Sequence, residues 1–169
     1  MTPFVILLRA VNVGGTGKLP MTELKAMCER VGLEDVRTYI ASGNVVCRSA
    51  QTEARVKALV ERALADYAGK AVGVVVRSGA EMAAVRDASP FASTDASKTV
   101  AIFLDEAPPA DALERVSGHG NEVFRLGKRE IYVYYPDGMG RSKLKIPAAA
   151  AGTARNMNTV SKLAEWAAS

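Results

Sequence analysis

A polar, glycine-rich segment directly follows the first apolar run of the chain. Arg9 and Asn12 come after that run, glycines occupy positions 14, 15 and 17, and Lys18 closes the segment. Glycine tolerates positive φ and lets the backbone approach a ligand closely, so that several N–H groups can point at one anion. The segment therefore predicts either a tight strand-to-helix turn or an anion-binding loop. The predicted ligand-binding residues here are Arg9, Asn12, Gly14, Gly15 and Lys18.

This segment comes close to the phosphate-binding loop of nucleotide hydrolases without matching it. Asn12 stands where that motif has its first glycine, and Leu19 stands where it has a serine or threonine. The missing hydroxyl is a direct ligand of magnesium in those enzymes. The departure argues against a nucleoside-triphosphate hydrolase.

A second cluster of basic residues lies near the end of the chain. Between Arg141 and Arg155 the sequence has four basic residues and no acidic one, and a helix is predicted to start near Asn156 or Asn158. The first turn of a helix has unpaired N–H groups and a positive dipole end, which suit a phosphate or a carboxylate. The alternative is that the two asparagines only cap the helix and the basic loop is solvated.

A third polar stretch, Ser42-Gly43-Asn44, separates two predicted strands. Its side chains either complete the turn or add hydrogen-bond donors to a site. We expect these separate stretches to converge on one cleft, formed by the glycine-rich segment and the start of the last helix. In addition to the residues of the first segment, the predicted ligand-binding set contains Ser42, Asn44, Arg141, Lys143, Arg155 and Asn156.

Composition limits the class of protein and its partners. The 169 residues suit one domain or two small ones, and 49% hydrophobic and 24% charged residues are typical of a globular protein. A net charge of +4 suits an anionic partner, whereas 6% aromatic residues leave room for only a small stacking surface. No apolar run approaches the length of a membrane helix, and no basic segment precedes the short N-terminal run. We expect a cytoplasmic protein with no membrane partner.

Metal and cofactor chemistry has little support in the sequence. Cys28 and Cys47 show no paired spacing, and His119, the only histidine, has no cysteine nearby. We expect no metal site and no cofactor, and two buried thiols.

The order of predicted elements indicates an α+β fold of two ferredoxin-like halves, residues 1–78 and 79–169. The first half has the order strand, helix, strand, strand, helix, strand of that unit. The second begins similarly, with a strand at 99–104, a short helix from Pro108 to about Val116 and a hairpin, but shows no clear final strand. Tyr132 and Tyr134 alternate along the hairpin, which predicts either phenol groups that reach water or a small stacking surface.

These stretches together resemble a known family. Arg9-Ala-Val-Asn-Val-Gly-Gly, Thr38-Tyr-Ile-Ala-Ser-Gly-Asn-Val-Val and Arg155-Asn-Met-Asn-Thr-Val are similar, in this order, to the domain of unknown function 1697 family. The resemblance implies a bacterial, cytoplasmic protein of two ferredoxin-like halves, and no particular activity or cofactor. Met157 stands where that family usually has tryptophan, which implies altered ligand stacking or looser packing.

Three functions are compatible with these features of the sequence. The first is binding of a phosphate-bearing ligand, a nucleotide or a nucleic acid. The second is an enzyme that acts on a phosphorylated small molecule. No catalytic residue is assigned, because Cys47, His119 and Asp137 each have an ordinary structural explanation. The third is a structural or interaction module that forms a homodimer through its edge strands.

Overall fold

A computed structural model describes residues 1–9, 19–39, 43–91 and 93–169 of the chain. By the density of internal contacts these residues form two compact units. The first unit contains residues 1–83 and 163–169, and the second contains residues 84–162. The sequence places the division between residues 78 and 79, whereas the units divide at 83 and 84 and the last seven residues belong to the first unit.

The first unit is a four-stranded antiparallel sheet with two helices between its strands. The strand order is β2-β3-β1-β4, so that β1 pairs with both β3 and β4. The strands are antiparallel neighbours throughout, with β3 placed between β1 and β2, as in a ferredoxin-like unit. Its elements are β1 (Thr2–Leu8), α1 (Met21–Arg30), β2 (Glu34–Tyr39), β3 (Asn44–Ser49), α2 (Glu53–Ala68) and β4 (Val74–Ser78).

The two helices of this unit follow from local sequence. The buried residues Val56, Val60 and Leu64 recur every fourth position on α2 and form one apolar stripe. The Thr52 hydroxyl caps this helix by accepting from the Arg55 N–H at 3.2 Å. Gly69 ends it in the left-handed conformation, with φ of 71°. These signals confirm the predicted helix.

One hydrophobic layer joins both helices to the sheet. Apolar side chains of alternate strand positions, such as Phe4, Ile6 and Leu8, pack with Leu24 and Met27 of α1 and with the stripe of α2. Cys28 and Cys47 lie in the same layer as buried free thiols, which confirms the prediction for both.

The second unit repeats the strand order but not the helices. Its sheet has the order β6-β7-β5-β8, with all neighbouring strands antiparallel. Its strands are β5 (Thr99–Phe103), β6 (Val123–Leu126), β7 (Glu130–Tyr134) and β8 (Thr153–Asn156). The helix α3 (Gly79–Asp87) precedes this sheet, and α4 (Met157–Ala168) follows it.

Short 3-10 turns take the place of the crossover helices in this unit. The predicted helix between Pro108 and Val116 is a 3-10 turn at Ala112–Arg115, and two more turns follow at Met139–Arg141 and Pro147–Ala149. Side chains from these irregular connections, including Leu113, Leu144 and Ala148, cover the sheet residues Ile102, Ile131 and Val133. The sheet face is therefore buried without an α-helix upon it.

The absence of a final strand in the second half was a wrong prediction. Thr153–Asn156 forms β8 by pairing with β5, for example Ala154 with Ile102. Alanine and asparagine have low strand propensity, so this strand depends on its partner rather than on its own residues. Both alternatives for the tyrosine hairpin, a phenol group that reaches water and a stacking surface, are wrong for Tyr132. Its side chain is 3% exposed, and its hydroxyl donates to the Val85 carbonyl at 2.8 Å.

Within the described ranges, no helix is both long and apolar enough to cross a bilayer.

Candidate functional site

One end of the first-unit sheet gathers residues from three strands. The Leu8 N–H donates to the Gly43 carbonyl at 2.8 Å, and the Arg9 N–H donates to the Gly73 carbonyl at 3.0 Å. The end of β1 therefore lies beside the starts of β3 and β4. We call Arg9, Gly43, Asn44 and Gly73 the sheet-end cluster.

Arg9 is the one charged residue of this cluster. Its side chain is half-buried and runs along Gly73, where an added Cβ would lie 3.3 Å from both Cδ and Nη1 of the arginine. A larger residue at position 73 would push the guanidinium away. The glycine therefore leaves the space in which the Arg9 side chain lies.

Asn44 and Gly43 shape the backbone of the cluster. Asn44 is fully buried, and its amide nitrogen donates to the Tyr39 carbonyl at 2.9 Å, which ties β3 back to the end of β2. Gly43 has φ of 80°, and a Cβ there would lie 2.8 Å from the Leu8 Cβ. Burial indicates that the Asn44 side chain positions the start of β3 against the end of β2, and its contact with a ligand stays a prediction.

Five predicted ligand-binding residues fall outside the part of the chain that the structure describes. They are Asn12, Gly14, Gly15, Lys18 and Ser42. The stretches that contain them are covalently continuous with Arg9 and Gly43, two members of the sheet-end cluster. The prediction that they share a cleft with the start of the last helix stays a prediction.

The structure brings Arg141 and Lys143 together at one cavity of the second unit. This cavity, which we call the loop cavity, has a volume of about 500 Å³. It lies among the loops that precede β6 and follow β7. Its lining residues are Gly118, Gly120, Asn121, Glu122, Tyr135, Asp137, Gly138, Arg141, Ser142 and Lys143.

Glu122 holds two of these loops in place. One carboxylate oxygen accepts from the Gly120 N–H at 2.6 Å, and the other accepts from the Ser142 hydroxyl at 2.7 Å. The hydrogen bond from Ser142, followed by that from Gly120, holds the pKa of Glu122 below its usual range. Sequence reasoning missed this residue. The signal available was an acidic side chain between two glycine-containing loops.

Arg155 and Asn156 lie in β8, at the start of α4. The Arg155 side chain is 7% exposed, and its Nη1 donates to the Thr153 hydroxyl at 2.7 Å and to the Ala154 carbonyl at 2.9 Å. Burial lowers the pKa of Arg155 to about 10, so the group is still charged at neutral pH. Arg155 lies outside the described lining of the loop cavity.

The start of α4 is capped as the sequence predicts. The side-chain oxygen of Asn156 accepts from the Thr159 N–H at 2.9 Å. Met157 is 7% exposed, which supports the packing interpretation of this position and leaves little surface for stacking on a ligand.

The candidate catalytic side chains have structural surroundings. Burial raises the pKa of Cys47 to about 12, so its thiol is protonated at neutral pH and is a poor nucleophile. Asp137 accepts from the Asn121 amide at 2.8 Å. His119 contacts the Glu122 carbonyl through Nε2 at 3.0 Å and packs edge-on against Phe124. Among the described residues, no three metal-ligating side chains come together.

Comparison with known proteins places the chain in a family. One solved structure, that of conserved bacterial protein SP0830 from Streptococcus pneumoniae, is 25% identical and covers 100% of this chain and 99% of its own, with a TM-score of 0.82. No curated protein gives a significant match. The family model described as Protein of unknown function (DUF1697) matches residues 1–132. The chain is therefore a member of the DUF1697 family, as its motifs suggest.

Proposed function

We propose that the protein binds a phosphate-bearing ligand, a nucleotide or a nucleic acid, at the sheet-end cluster. The observation that carries the proposal is the hydrogen bond between Leu8 and Gly43. Because of it, Leu8, which shortly precedes the glycine-rich segment in sequence, lies beside Gly43, which directly follows Ser42. Two polar stretches that are far apart in sequence are therefore attached to neighbouring points of the first unit.

Arg9 would supply the charge for this ligand. A guanidinium presents a planar set of donors that fits two phosphate oxygens at once. The Arg9 side chain is partly exposed and lies in the space that Gly73 leaves open. Lys18 and the backbone amides at Gly14 and Gly15 would add further donors, since glycine lets the backbone approach the ligand closely.

The experiment measures binding of AMP and of a short single-stranded RNA by filter binding, at low and at physiological salt. Arg9→Gln and Lys18→Gln together should weaken binding about tenfold or more, because each removes a charge-assisted hydrogen bond. The matched control is Lys25→Gln with Arg55→Gln, which removes the same charges from exposed positions on α1 and near the start of α2.

Salt dependence separates the two ligand classes. Affinity for RNA should fall with a log–log slope of about −0.7 for each phosphate contacted, whereas a nucleotide should show a shallower slope. Failure to bind either probe at low salt would overturn the proposal. An equal loss in the control variant would do the same, since only general charge would then be involved.

A further inference from the structure

The loop cavity of the second unit is lined by two positively charged side chains, those of Arg141 and Lys143. Both residues are exposed. Among the described residues, neither side chain has an ion-pair partner, whereas Arg86 pairs with Asp87 and Arg115 pairs with Asp111 in the same unit. Two adjacent cations without a protein partner are available to an anion.

The two carboxylates that line the loop cavity, those of Glu122 and Asp137, differ in their hydrogen bonds. Both oxygens of Glu122 accept hydrogen bonds from the loops, and the side chain is 8% exposed. Asp137 is exposed, and one of its oxygens accepts from Asn121. The second oxygen of Asp137 has no hydrogen bond from any residue in the described ranges. It is available to a donor such as a ligand hydroxyl.

The backbone that carries Lys143 is fixed from the opposite loop. Ser117 and Lys145 exchange backbone hydrogen bonds of 3.0 and 2.8 Å. Gly118 packs so tightly on this bridge that a Cβ would contact the Lys143 carbonyl oxygen. The cation is therefore carried on a constrained backbone, which lowers the entropy lost when a ligand binds.

We propose that the loop cavity binds a small phosphorylated polyol, independently of the sheet-end cluster. The phosphate would accept from Arg141 and Lys143, and a hydroxyl group of the same molecule would donate to Asp137. A volume of about 500 Å³ lies within the range of small-molecule sites. The cavity combines two cations that have no ion-pair partner with a carboxylate oxygen that has no hydrogen-bond donor among the described residues. This combination favours a ligand that has both phosphate and hydroxyl groups over a bare phosphate or an uncharged sugar.

The test compares ribose 5-phosphate, inorganic phosphate and ribose by calorimetric titration of the full chain. Ribose 5-phosphate should bind at least about tenfold more tightly than phosphate, since it gains the hydrogen bond to a charged carboxylate. Arg141→Gln with Lys143→Gln should weaken its binding about tenfold or more. Asp137→Asn, which keeps an oxygen for Asn121, should reduce the affinity for ribose 5-phosphate to that for phosphate.

Two controls keep the outcomes distinct. Lys128→Gln with Lys145→Gln removes the same charge from exposed residues outside the cavity lining and should leave binding unchanged. The titrations are repeated in an Arg9→Gln background, which removes the charge of the sheet-end cluster, so that failure of the proposed function and failure of this site are separate results. Equal affinities for ribose 5-phosphate and phosphate would overturn the polyol assignment. Binding that survives loss of both Arg141 and Lys143 would overturn the site.

Discussion

The two units have the same strand order and close their sheets in different ways. In the first unit, the connections that cross the sheet are helices of 10 and 16 residues. In the second, the corresponding connections contain 3-10 turns of 3 or 4 residues. The comparison shows that strand pairing alone can define the arrangement, while the covering layer can be regular or irregular.

Sequence accounts for the difference between these connections. The crossovers of the first unit have an apolar residue about every fourth position and end in glycines with positive φ, Gly32 and Gly69. Those of the second contain Pro108, Pro109, Pro136 and Pro147, and proline inside a helix removes a hydrogen bond and clashes with the preceding turn. Irregular loops leave concave surface between them, and the loop cavity lies there.

The largest expected contrast is in the hydrophobic layers. Leu64→Ala, at a buried position on α2 of the first unit, should lower the free energy of unfolding by about 3 kcal/mol. Leu113→Ala, at a partly buried position against the second sheet, should cost about 1 kcal/mol, because truncating a partly buried side chain loses less buried apolar surface. Urea unfolding followed by circular dichroism and by Trp166 fluorescence measures both. Equal costs would contradict the contrast.

Glycines provide the second contrast. Gly118→Ala should cost at least about 2 kcal/mol, because φ is 67° and the new Cβ would meet the Lys143 carbonyl. Gly69→Ala, at the end of α2, also requires positive φ but has nothing within 4 Å, so that about 1 kcal/mol is expected. Thermal unfolding of the two variants tests this. A smaller loss of stability in Gly118→Ala than in Gly69→Ala would show that the loop rearranges to accommodate the new Cβ.

An element can be predicted from the sequence when its own residues determine its conformation. It cannot be predicted in this way when pairing with a distant strand determines it. The apolar stripe of α2 indicates the helix from sequence alone, and in the structure Thr52 and Gly69 mark its two ends. β8 could not be found in this way, because Thr153–Asn156 becomes a strand only through hydrogen bonds to β5. An isolated sequence does not show which distant strand lacks a neighbour.

The candidate sites divide in the same manner. Arg141 and Lys143 are predicted ligand contacts because they lie in a basic stretch without acidic residues, and the structure places both at the loop cavity, whose described lining does not include Arg155. The role of Glu122 depends on Ser142, which is 20 residues away, and on the fold of the intervening hairpin. Arg155 is a predicted ligand contact by its charge, yet its position in the pairing of β8 buries most of its side chain.

Helix caps give a third, smaller contrast. Thr52→Ala should cost about 1 kcal/mol, because the Arg55 N–H loses its acceptor. Asn156→Ala should cost a similar amount, since the Thr159 N–H loses its own acceptor. Asn156→Asp keeps that acceptor. If Asn156 also contacts an anionic ligand, the aspartate variant should retain stability and lose affinity, which unfolding and AMP titration together would show.

Low pH should give the smallest difference in stability between the two units, and it should destabilise the second unit. The folded pKa of Glu122 is lowered, so the stability it contributes is present above its ordinary pKa of 4.5 and is lost as the pH falls further. Protection factors for amide hydrogen exchange near Gly120 and Ser142, which compare the measured rate with the intrinsic rate at the same pH, should therefore fall below about pH 4.5. In Glu122→Gln this acid dependence should be absent. Persistence of the same dependence in that variant would assign it to another group.

Amide chemical shifts during a titration with AMP at low salt report directly on whether a phosphate group binds at the sheet-end cluster. The backbone N–H signals of Arg9, Gly43, Asn44 and Gly73 should shift together in the wild-type protein and should not shift in Arg9→Gln. AMP-induced shifts that leave these four signals unmoved, or that persist fully without the Arg9 guanidinium, would contradict a phosphate site at this end of the sheet.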